Sequence, residues 1–207
     1  GPSRRQLELE AVATSADGSW VASTGPDGTV RLSSTVDGSH RAALPVQAER
    51  DGALAVAPGG AWLAVGARDG SVRLWNTADR SLQATVRAHP ARVRRLAVGP
   101  GGSWFASAGD DGAVRLWSSA DGSLLSTLPG YVLAHDLTIS PDGAWIACAS
   151  TVHVRVWSRD RPSHSTAVLV EGYLHGCSWF PAVTANPRLA LAGTGGLYVL
   201  ELLNWRV

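Results

Sequence analysis

The stretch Arg87–Leu128 reads RAHPARVRRLAVGPGGSWFASAGDDGAVRLWSSADGSLLSTL, and its pattern decides how the rest of the chain is interpreted. It contains four short runs in which apolar residues dominate or alternate with polar ones, as expected of β-strands. The gaps between the runs contain Gly-Gly or Asp-Gly pairs, which adopt the positive φ angles of tight hairpin turns. The runs are Val93–Val98, Trp104–Ala108, Ala113–Trp117 and Ser123–Leu128. The stretch therefore predicts an antiparallel meander of four strands.

A meander of this size cannot bury both of its faces alone, so it is expected to pack against copies of itself. Copies are present, because a tryptophan begins the second run at Trp20, Trp62, Trp104 and Trp145, with spacings of 42, 42 and 41 residues. A period of about 42 residues with four strands per unit is typical of β-propeller blades. We predict an all-β propeller of four-stranded antiparallel blades, of which four are clear and the fifth is divergent. The blades span residues 7–44, 47–86, 87–128, 130–170 and 173–207.

The second and third units share the sequence V-R-L-W, at residues 72–75 and 114–117, and an Asp-Gly pair precedes it in both. Together with a histidine near the start of the third unit, this pattern resembles the WD-repeat family over nearly the whole chain. The resemblance implies a rigid propeller that binds protein or peptide partners without catalysis of its own. It also implies a structural hydrogen-bonded tetrad in the third blade, made by His89, Ser107, Asp111 and Trp117.

The chain departs from the family pattern at several positions. Ser33 takes the place of the third-strand tryptophan in the first blade. In the second blade Gln47 and Val65 take the places of the tetrad histidine and serine, so no tetrad is expected there. The aspartate that follows the third-strand tryptophan in the family is replaced by Asn76, Ser118 and Ser158 in the second, third and fourth blades.

In the resembled family the loops that lead into the first strand of each blade form the partner-binding face. Basic and aromatic residues fall in these loops, and Tyr and Arg are frequent anchors of binding interfaces. A solvated rim of charges is the alternative explanation for the same residues. The predicted partner-binding face consists of Arg50, Arg92, Arg94, Tyr131, His135, Tyr173 and His175.

Residues that recur once per blade are predicted to be structural. The periodic tryptophans are interpreted as packing between blades rather than as a ligand cage, because their spacing is strict. Arginine recurs at Arg31, Arg73, Arg115 and Arg155, where its stem can pack between blades. An anionic groove is the alternative interpretation of this arginine series.

The segment from His175 to Leu202 carries a second resemblance. It is similar to the terminal repeat of bacterial multidomain proteins in which WD repeats follow a signalling ATPase domain of the NB-ARC (STAND) type. This implies a sensor that binds a signal and controls oligomerisation of another domain. Two alternatives remain open: a passive scaffold for several partners, and an open repeat array that closes by self-association. The second arises because residues 4–8 are too short to supply a missing blade strand. Either residues 202–207 complete the fifth blade, or the ring is open and its unpaired strand edge favours association.

Composition argues against several other functions. The net charge of +1 gives no electrostatic reason to expect nucleic acid or an anionic membrane as a partner. No apolar run approaches the roughly 20 residues that a membrane-spanning helix needs. The sequence has no nucleophile elbow, zinc-protease motif, P-loop or Cys-x-x-Cys, so we predict no enzyme, no cofactor and no metal. A channel active site is also disfavoured, because the predicted innermost strands are apolar, as in Leu96–Val98.

Cysteine usage and residue bias suggest where the protein works. Cys148 and Cys177 fall within predicted strands and are interpreted as buried free thiols of a reducing compartment, the cytoplasm. All 18 basic residues are arginine and there is no lysine, which is typical of a high-GC bacterial genome. There is no methionine, and Gly1–Ser3 resembles a scar left by removal of an affinity tag, so residues 4–207 are expected to form the propeller.

Overall fold

The computed structural model describes residues 11–25, 27–46, 53–130, 132–180 and 187–202. Within these ranges the chain forms nineteen β-strands and one 3-10 turn at Pro100–Gly102, so the predicted all-β fold is confirmed. The strands make five antiparallel sheets, and each sheet uses strands that are consecutive in the chain. In the described ranges no helix is long and apolar enough to span a bilayer.

The first four sheets have four strands each and are called blades one to four. Blade one contains β1 (Ala11–Thr14), β2 (Trp20–Thr24), β3 (Val30–Ser34) and β4 (His40–Leu44). Blade two contains β5 (Ala53–Val56), β6 (Trp62–Gly66), β7 (Ser71–Asn76) and β8 (Leu82–Arg87). Blade three contains β9 (Val93–Val98), β10 (Trp104–Gly109), β11 (Val114–Ser118) and β12 (Leu124–Leu128). Blade four contains β13 (Asp136–Ile139), β14 (Trp145–Ala149), β15 (His153–Ser158) and β16 (Ser165–Leu169).

Blade five has three strands in the described part of the chain: β17 (Leu174–Trp179), β18 (Arg188–Gly193) and β19 (Gly196–Glu201). The strand that we expected at residues 202–207 falls almost entirely outside the described residues, as do residues 4–8. Leu202 is buried, and its backbone N–H donates to the carbonyl of Pro187. Therefore β19 pairs only with β18 among the described residues, and its other edge has no strand beside it there.

Tryptophans fill the boundaries between blades, as predicted. The second-strand tryptophan of one blade packs in the same apolar cluster as the third-strand tryptophan of the next. These pairs are Trp20 with Trp75, Trp62 with Trp117, and Trp104 with Trp157. At the last boundary Trp145 packs with buried leucines of blade five. The strict period of the tryptophans thus reflects one repeated packing interface.

The first strands of successive blades pack against one another in the order β1, β5, β9, β13 and β17, as the innermost strands of a propeller do. Four apolar clusters fill the four boundaries between consecutive blades. In the described part of the chain no cluster joins blade five to blade one, and no comparable contact joins β17 to β1. The outer faces of blades one and five are therefore the two ends of the described array.

Phe105 tests the packing between blades two and three. It is fully buried, and its ring meets Trp62 edge-on at a centroid distance of 6.2 Å. We expect Phe105→Ala to lower the free energy of unfolding by about 3–5 kcal/mol, since it removes a buried aromatic ring and leaves a cavity. Urea denaturation followed by tryptophan fluorescence measures this, with Phe105→Leu as the milder control. A loss below about 1 kcal/mol for the alanine variant would contradict the packed boundary.

Candidate functional site

The connections between blades and the turns between second and third strands lie at one end of the molecule, which we call the connection face. It comprises residues 67–70, 88–92, 109–113, 132–135, 150–152 and 170–173. Backbone hydrogen bonds tie each connection to the turn of the blade before it. His89 N–H donates to the Gly70 carbonyl at 3.0 Å, and Val132 N–H donates to the Gly112 carbonyl at 2.9 Å. The loops of this face are therefore held on a rigid base.

Gly70 shows how closely these segments approach. Its φ is +84°, and a Cβ atom there would lie 2.0 Å from the carbonyl oxygen of His89. Any side chain at this position would collide with the connection to blade three, in addition to the strain of positive φ. Glycine is thus required for the loop and the turn to meet.

The four residues of the predicted tetrad are brought together in blade three. The His89 ring lies between Asp111 and Ser107, with Nδ1 2.8 Å from Asp111 Oδ1 and Nε2 2.8 Å from Ser107 Oγ. Trp117 Nε1–H donates to the same Ser107 Oγ at 2.9 Å. One neutral tautomer satisfies every contact: Nδ1–H donates to the carboxylate, and Nε2 accepts from the serine hydroxyl.

Burial keeps this network in a fixed protonation state. Burial lowers the pKa of His89, and the neighbouring Asp111 carboxylate only partly offsets that effect. Burial alone would raise the pKa of Asp111, but hydrogen bonds from Arg115 and His89 outweigh it and lower that pKa. A neutral histidine beside an ionised aspartate is therefore the state at neutral pH.

Arg115 is a further member of the network that the sequence analysis did not place there. Its Nη1–H donates to Asp111 Oδ2 at 2.7 Å. The same nitrogen lies 2.6 Å from His89 Nδ1, but Nδ1 carries a proton in this tautomer and cannot accept. The recurring arginines follow this scheme in the earlier blades, where Arg31 pairs with Asp27 and Arg73 with Asp69. The role of Arg31, Arg73 and Arg115 is therefore an ion pair within the hairpin, which the spacing of four residues between Asp and Arg could have suggested. In blade four Thr151 stands four residues before Arg155, so the pair cannot form there.

Other blades lack the complete tetrad. In blade two Trp75 Nε1 is buried and has no hydrogen-bond partner among the described residues, since Val65 stands where blade three has Ser107. In blade four Trp157 Nε1–H donates to the Pro129 carbonyl at 2.9 Å instead. Blade three therefore holds its loops more firmly than its neighbours do.

The Ser107–His89–Asp111 arrangement has the order of a hydrolytic triad, but it is sealed from substrate. Ser107 is fully buried, and His89 is 2% exposed. The serine oxygen already accepts from Trp117, so it is not poised toward a bound carbonyl carbon. The chemistry of these residues is thus structural.

Two of the predicted partner-binding residues are partly buried. Arg94, on β9, forms an ion pair with Asp110 in the β10–β11 turn, and both side chains are about one-third exposed. Arg92 precedes β9, and its carbonyl accepts from Asp110 N–H at 2.9 Å. These contacts fix the loop between blades two and three and leave part of each guanidinium available to solvent.

Arg95 and Asp136 join neighbouring blades near the connection face, and the sequence analysis did not select either as a site residue. Arg95 Nε–H donates to the His135 carbonyl at 2.6 Å, which links blades three and four. Asp136 Oδ2 accepts from Cys177 N–H at 2.8 Å, which links blades four and five. A charged residue at the connection-face end of an otherwise apolar inner strand was the available signal for both.

The remaining predicted residues are exposed or outside the described part of the chain. His135 lies on the surface with Nε2 3.2 Å from Thr151 Oγ1. Tyr173 is 61% exposed, and His175 is exposed on β17. Arg50 and Tyr131 lie outside the described residues. Thus the structure places Arg94, Arg95 and His135 together and sets Tyr173 and His175 on the adjoining blade.

Neither cysteine is placed to act as a nucleophile or a thiolate ligand. Cys148 and Cys177 are buried free thiols in β14 and β17. Burial raises the pKa of Cys148 to about 12 and raises that of Cys177 as well, so both remain protonated. In the described ranges no group of three His, Cys, Asp or Glu residues is placed to hold a metal ion.

The lowered pKa of His89 predicts a pH-dependent stability. The unfolded chain binds the histidine proton near pH 6.5, whereas the folded protein binds it only at lower pH. The contribution of His89 to the free energy of unfolding is therefore full well above pH 6.5 and decreases as the pH falls below that value. Between pH 7.5 and 5.5 we expect the free energy of unfolding to fall, because the unfolded state takes up this proton more readily than the folded state does. Urea denaturation at both pH values measures this.

His89→Gln should reduce that pH dependence, whereas His164→Gln, on an exposed loop, should not. His153→Gln should remove a contribution of the same sign, because burial and then Arg155 lower the pKa of His153. An NMR titration in which the His89 ring protonates at pH 6.5 in the folded protein would refute the assignment.

Comparison with known protein families agrees with this geometry. The model of the WD domain, G-beta repeat, matches residues 7–32, 52–76 and 80–118, which cover most of blades one to three. No match was found among curated proteins. Blades four and five extend the same strand order and the same boundary packing beyond the matched residues. The chain therefore belongs to the WD-repeat β-propeller family, whose domains serve in general as protein-interaction or regulatory modules.

Proposed function

We propose that the connection face binds a segment of a protein partner and that the propeller is a non-catalytic interaction or sensor module of a larger signalling protein. The observation that carries the proposal is an exposed apolar patch beside basic groups. Three large side chains from three adjoining loops are exposed: Leu133 at 42%, Val152 at 46% and Tyr173 at 61%. Exposed apolar groups clustered on one face mark interaction sites more often than scattered ones do.

The loops that carry this patch are joined to one another. Leu174 N–H donates to the Thr151 carbonyl at 2.8 Å, and Val170 N–H donates to the Val152 carbonyl at 3.0 Å. Arg94, Arg95 and His135 lie on the blade-three side of the patch. An apolar centre that includes a tyrosine and has arginines at its edge is the composition of a protein-binding hot spot.

The cellular context of the proposal rests on simpler observations. Two buried free thiols suit a reducing cytoplasm. A net charge of +1 favours a protein partner over nucleic acid or an anionic membrane. The proposed sensor role in a bacterial multidomain protein rests on the resemblance of the last blade. The absence of catalysis is supported by the sealed position of the triad-like residues in blade three.

The proposal is tested with a phage-displayed library of linear peptides selected against the immobilised protein. Affinities of selected, fluorescein-labelled peptides are then measured by anisotropy. We expect Tyr173→Ala and Val152→Asp each to weaken binding at least tenfold, because they remove central apolar contacts. Leu125→Ala, at a residue 53% exposed on the outer strand of blade three, should leave affinity unchanged.

Unchanged melting temperatures would show that the variants are folded. Peptides that bind the Tyr173 and Val152 variants as well as the unaltered protein would contradict the connection face as the site. Peptides that separate into several groups with different contact surfaces would favour the passive scaffold instead.

A second candidate function is self-association that completes the propeller. It is favoured by the edge of β19, which has no neighbouring strand among the described residues and exposes Leu197 at 72% and Val199 at 50%. The positions that carry the boundary tryptophans are Ser33 in blade one and Arg188 in blade five, so a tryptophan pair cannot form between these two blades. An unpaired strand edge with apolar side chains is a template for pairing with another chain.

Light scattering at several protein concentrations tests this candidate. If the edge is paired between chains, the mass should rise with concentration, and Val199→Lys should shift the protein toward the monomer. Leu125→Lys is the matched control, since Leu125 is about as exposed as Val199 but lies in a complete blade. A monomer at every concentration would exclude self-association, and equal effects of both lysine variants would exclude the β19 edge.

A further inference from the structure

A second surface feature lies at the end of the molecule opposite the connection face. This end carries the turns between first and second strands and between third and fourth strands, and we call it the turn face. A cleft opens here at the boundary between blades one and two, with a cavity volume of about 190 Å³. Its lining consists of Trp20, Leu32, Arg41, Ala42, Thr77, Ala78 and Arg80. The floor is thus aromatic and the rim carries two arginines.

Arg80 occupies a turn position at which blades one and three have glycine. Its φ is +63°, and it is the one non-glycine residue with positive φ among the described residues. The corresponding turns of blades one and three have Gly38 and Gly122, with φ of +69° and +72°. Residues other than Gly, Asn and Asp are disfavoured at positive φ. The surrounding structure therefore holds Arg80 in a backbone conformation that arginine rarely adopts.

One hydrogen bond of this turn recurs in the three blades. Asp79 Oδ1 accepts from Ser81 N–H at 3.0 Å, as Asp37 does from Ser39 and Asp121 does from Ser123. The substitution therefore keeps this side-chain bond. The backbone bonds from Gly38 N–H to the Ser34 carbonyl and from Gly122 N–H to the Ser118 carbonyl, both 3.0 Å long, have no counterpart at Arg80 among the described residues. What the substitution adds is a guanidinium at the mouth of the cleft.

Arg41 supplies the second guanidinium. It lies on β4, at a position held by Gln83 in β8 and by Leu125 in β12. The equivalent boundary between blades two and three thus has Gln83 and Gly122 in place of the two arginines. Both Arg41 and Arg80 are exposed, and neither has a carboxylate partner among the described residues.

At the boundary between blades three and four, the equivalent tryptophan is covered by an arginine of the protein itself. There the Arg159 guanidinium lies over the Trp104 ring, 4.9 Å from its centroid. The equivalent of Arg159 in blade two is Thr77, whose hydroxyl turns away and donates to the Gly60 carbonyl at 2.5 Å. The protein therefore covers Trp104 with its own side chain, whereas at Trp20 it leaves a cleft.

We propose that Arg41, Arg80 and Trp20 bind an acidic side chain of a protein partner. The carboxylate lies between the two guanidiniums, and its methylene stem rests against the Trp20 ring. Guanidinium pairs recognise planar carboxylates through parallel charge-assisted hydrogen bonds. The cleft is below the roughly 300 Å³ of a typical small-molecule site, so it suits one side chain. This site is separate from the connection face and does not depend on its role.

The test uses fluorescein-labelled peptides with a central run of three glutamates, three glutamines or three phosphoserines. Anisotropy is measured at low salt with the unaltered protein. The glutamate peptide should bind at least tenfold more tightly than the glutamine peptide. Arg41→Ala and Arg80→Gly should each weaken the glutamate peptide at least tenfold, whereas Arg161→Ala, an exposed arginine on the turn face of blade four, should not.

Equal losses in the Arg41, Arg80 and Arg161 variants would overturn the proposal, since they would indicate diffuse charge attraction. Binding that is unaffected by Arg80→Gly would also overturn it. Tighter binding of the phosphoserine peptide than of the glutamate peptide would overturn the assignment to a carboxylate in favour of a phosphoryl group.

The stability of the same variant separates binding from misfolding. Arg80→Gly should raise the melting temperature, because glycine is unstrained at this φ. Gly38→Arg is the reciprocal control: its turn has positive φ and open space around the added side chain, so its melting temperature should fall while glutamate-peptide binding is retained. A lower melting temperature for Arg80→Gly would refute the strain at Arg80.

Discussion

The packing of one blade against the next is the interaction on which the rest of this structure depends. A four-stranded sheet has two faces and cannot bury both alone, so each boundary must be filled from both sides. At the first three boundaries the chain does this with one tryptophan from each blade, as in the pair Trp104 and Trp157. The same constraint identifies the two ends of the array, where Ser33 and Arg188 stand at the tryptophan positions and no apolar cluster forms between blades one and five in the described part of the chain.

The packed blades form a rigid base on which the loops of the connection face can differ in sequence. In blade three the network around His89 and Asp111 fixes the loops of the connection face, and its histidine and serine are buried. Blades four and five lack this network and carry the exposed apolar groups Val152 and Tyr173 instead. The division agrees with the general observation that binding residues lie on loops positioned by a stable scaffold. Blade three, which has the hydrogen-bonded network, therefore lies beside the exposed apolar patch of blades four and five and does not itself carry it.

On the turn face, one residue departs from the pattern of its repeat. Sequence repeats make each position comparable with its equivalents, so a residue that breaks the pattern is easily recognised. Arg80 has the conformation of Gly38 and Gly122 without being glycine, and it stands beside Arg41, where blades two and three have the uncharged Gln83 and Leu125. Positions at which local preference and observed residue disagree are often functional, because strain persists only where something offsets it.

The sequence by itself determined the strands, the five blades and the tryptophan boundaries, and its resemblance to WD repeats implied the tetrad of His89, Ser107, Asp111 and Trp117. It could do so because alternation, Asp-Gly turns and a 42-residue period are local signals that recur in register. Only the tertiary structure decided that Arg95 reaches the carbonyl of His135 and that Asp136 holds Cys177 N–H, across separations of 40 and 41 residues. It also decided that Trp20 borders an open cleft. Such contacts depend on how side chains from different blades fill the space between them, and no local periodicity encodes that.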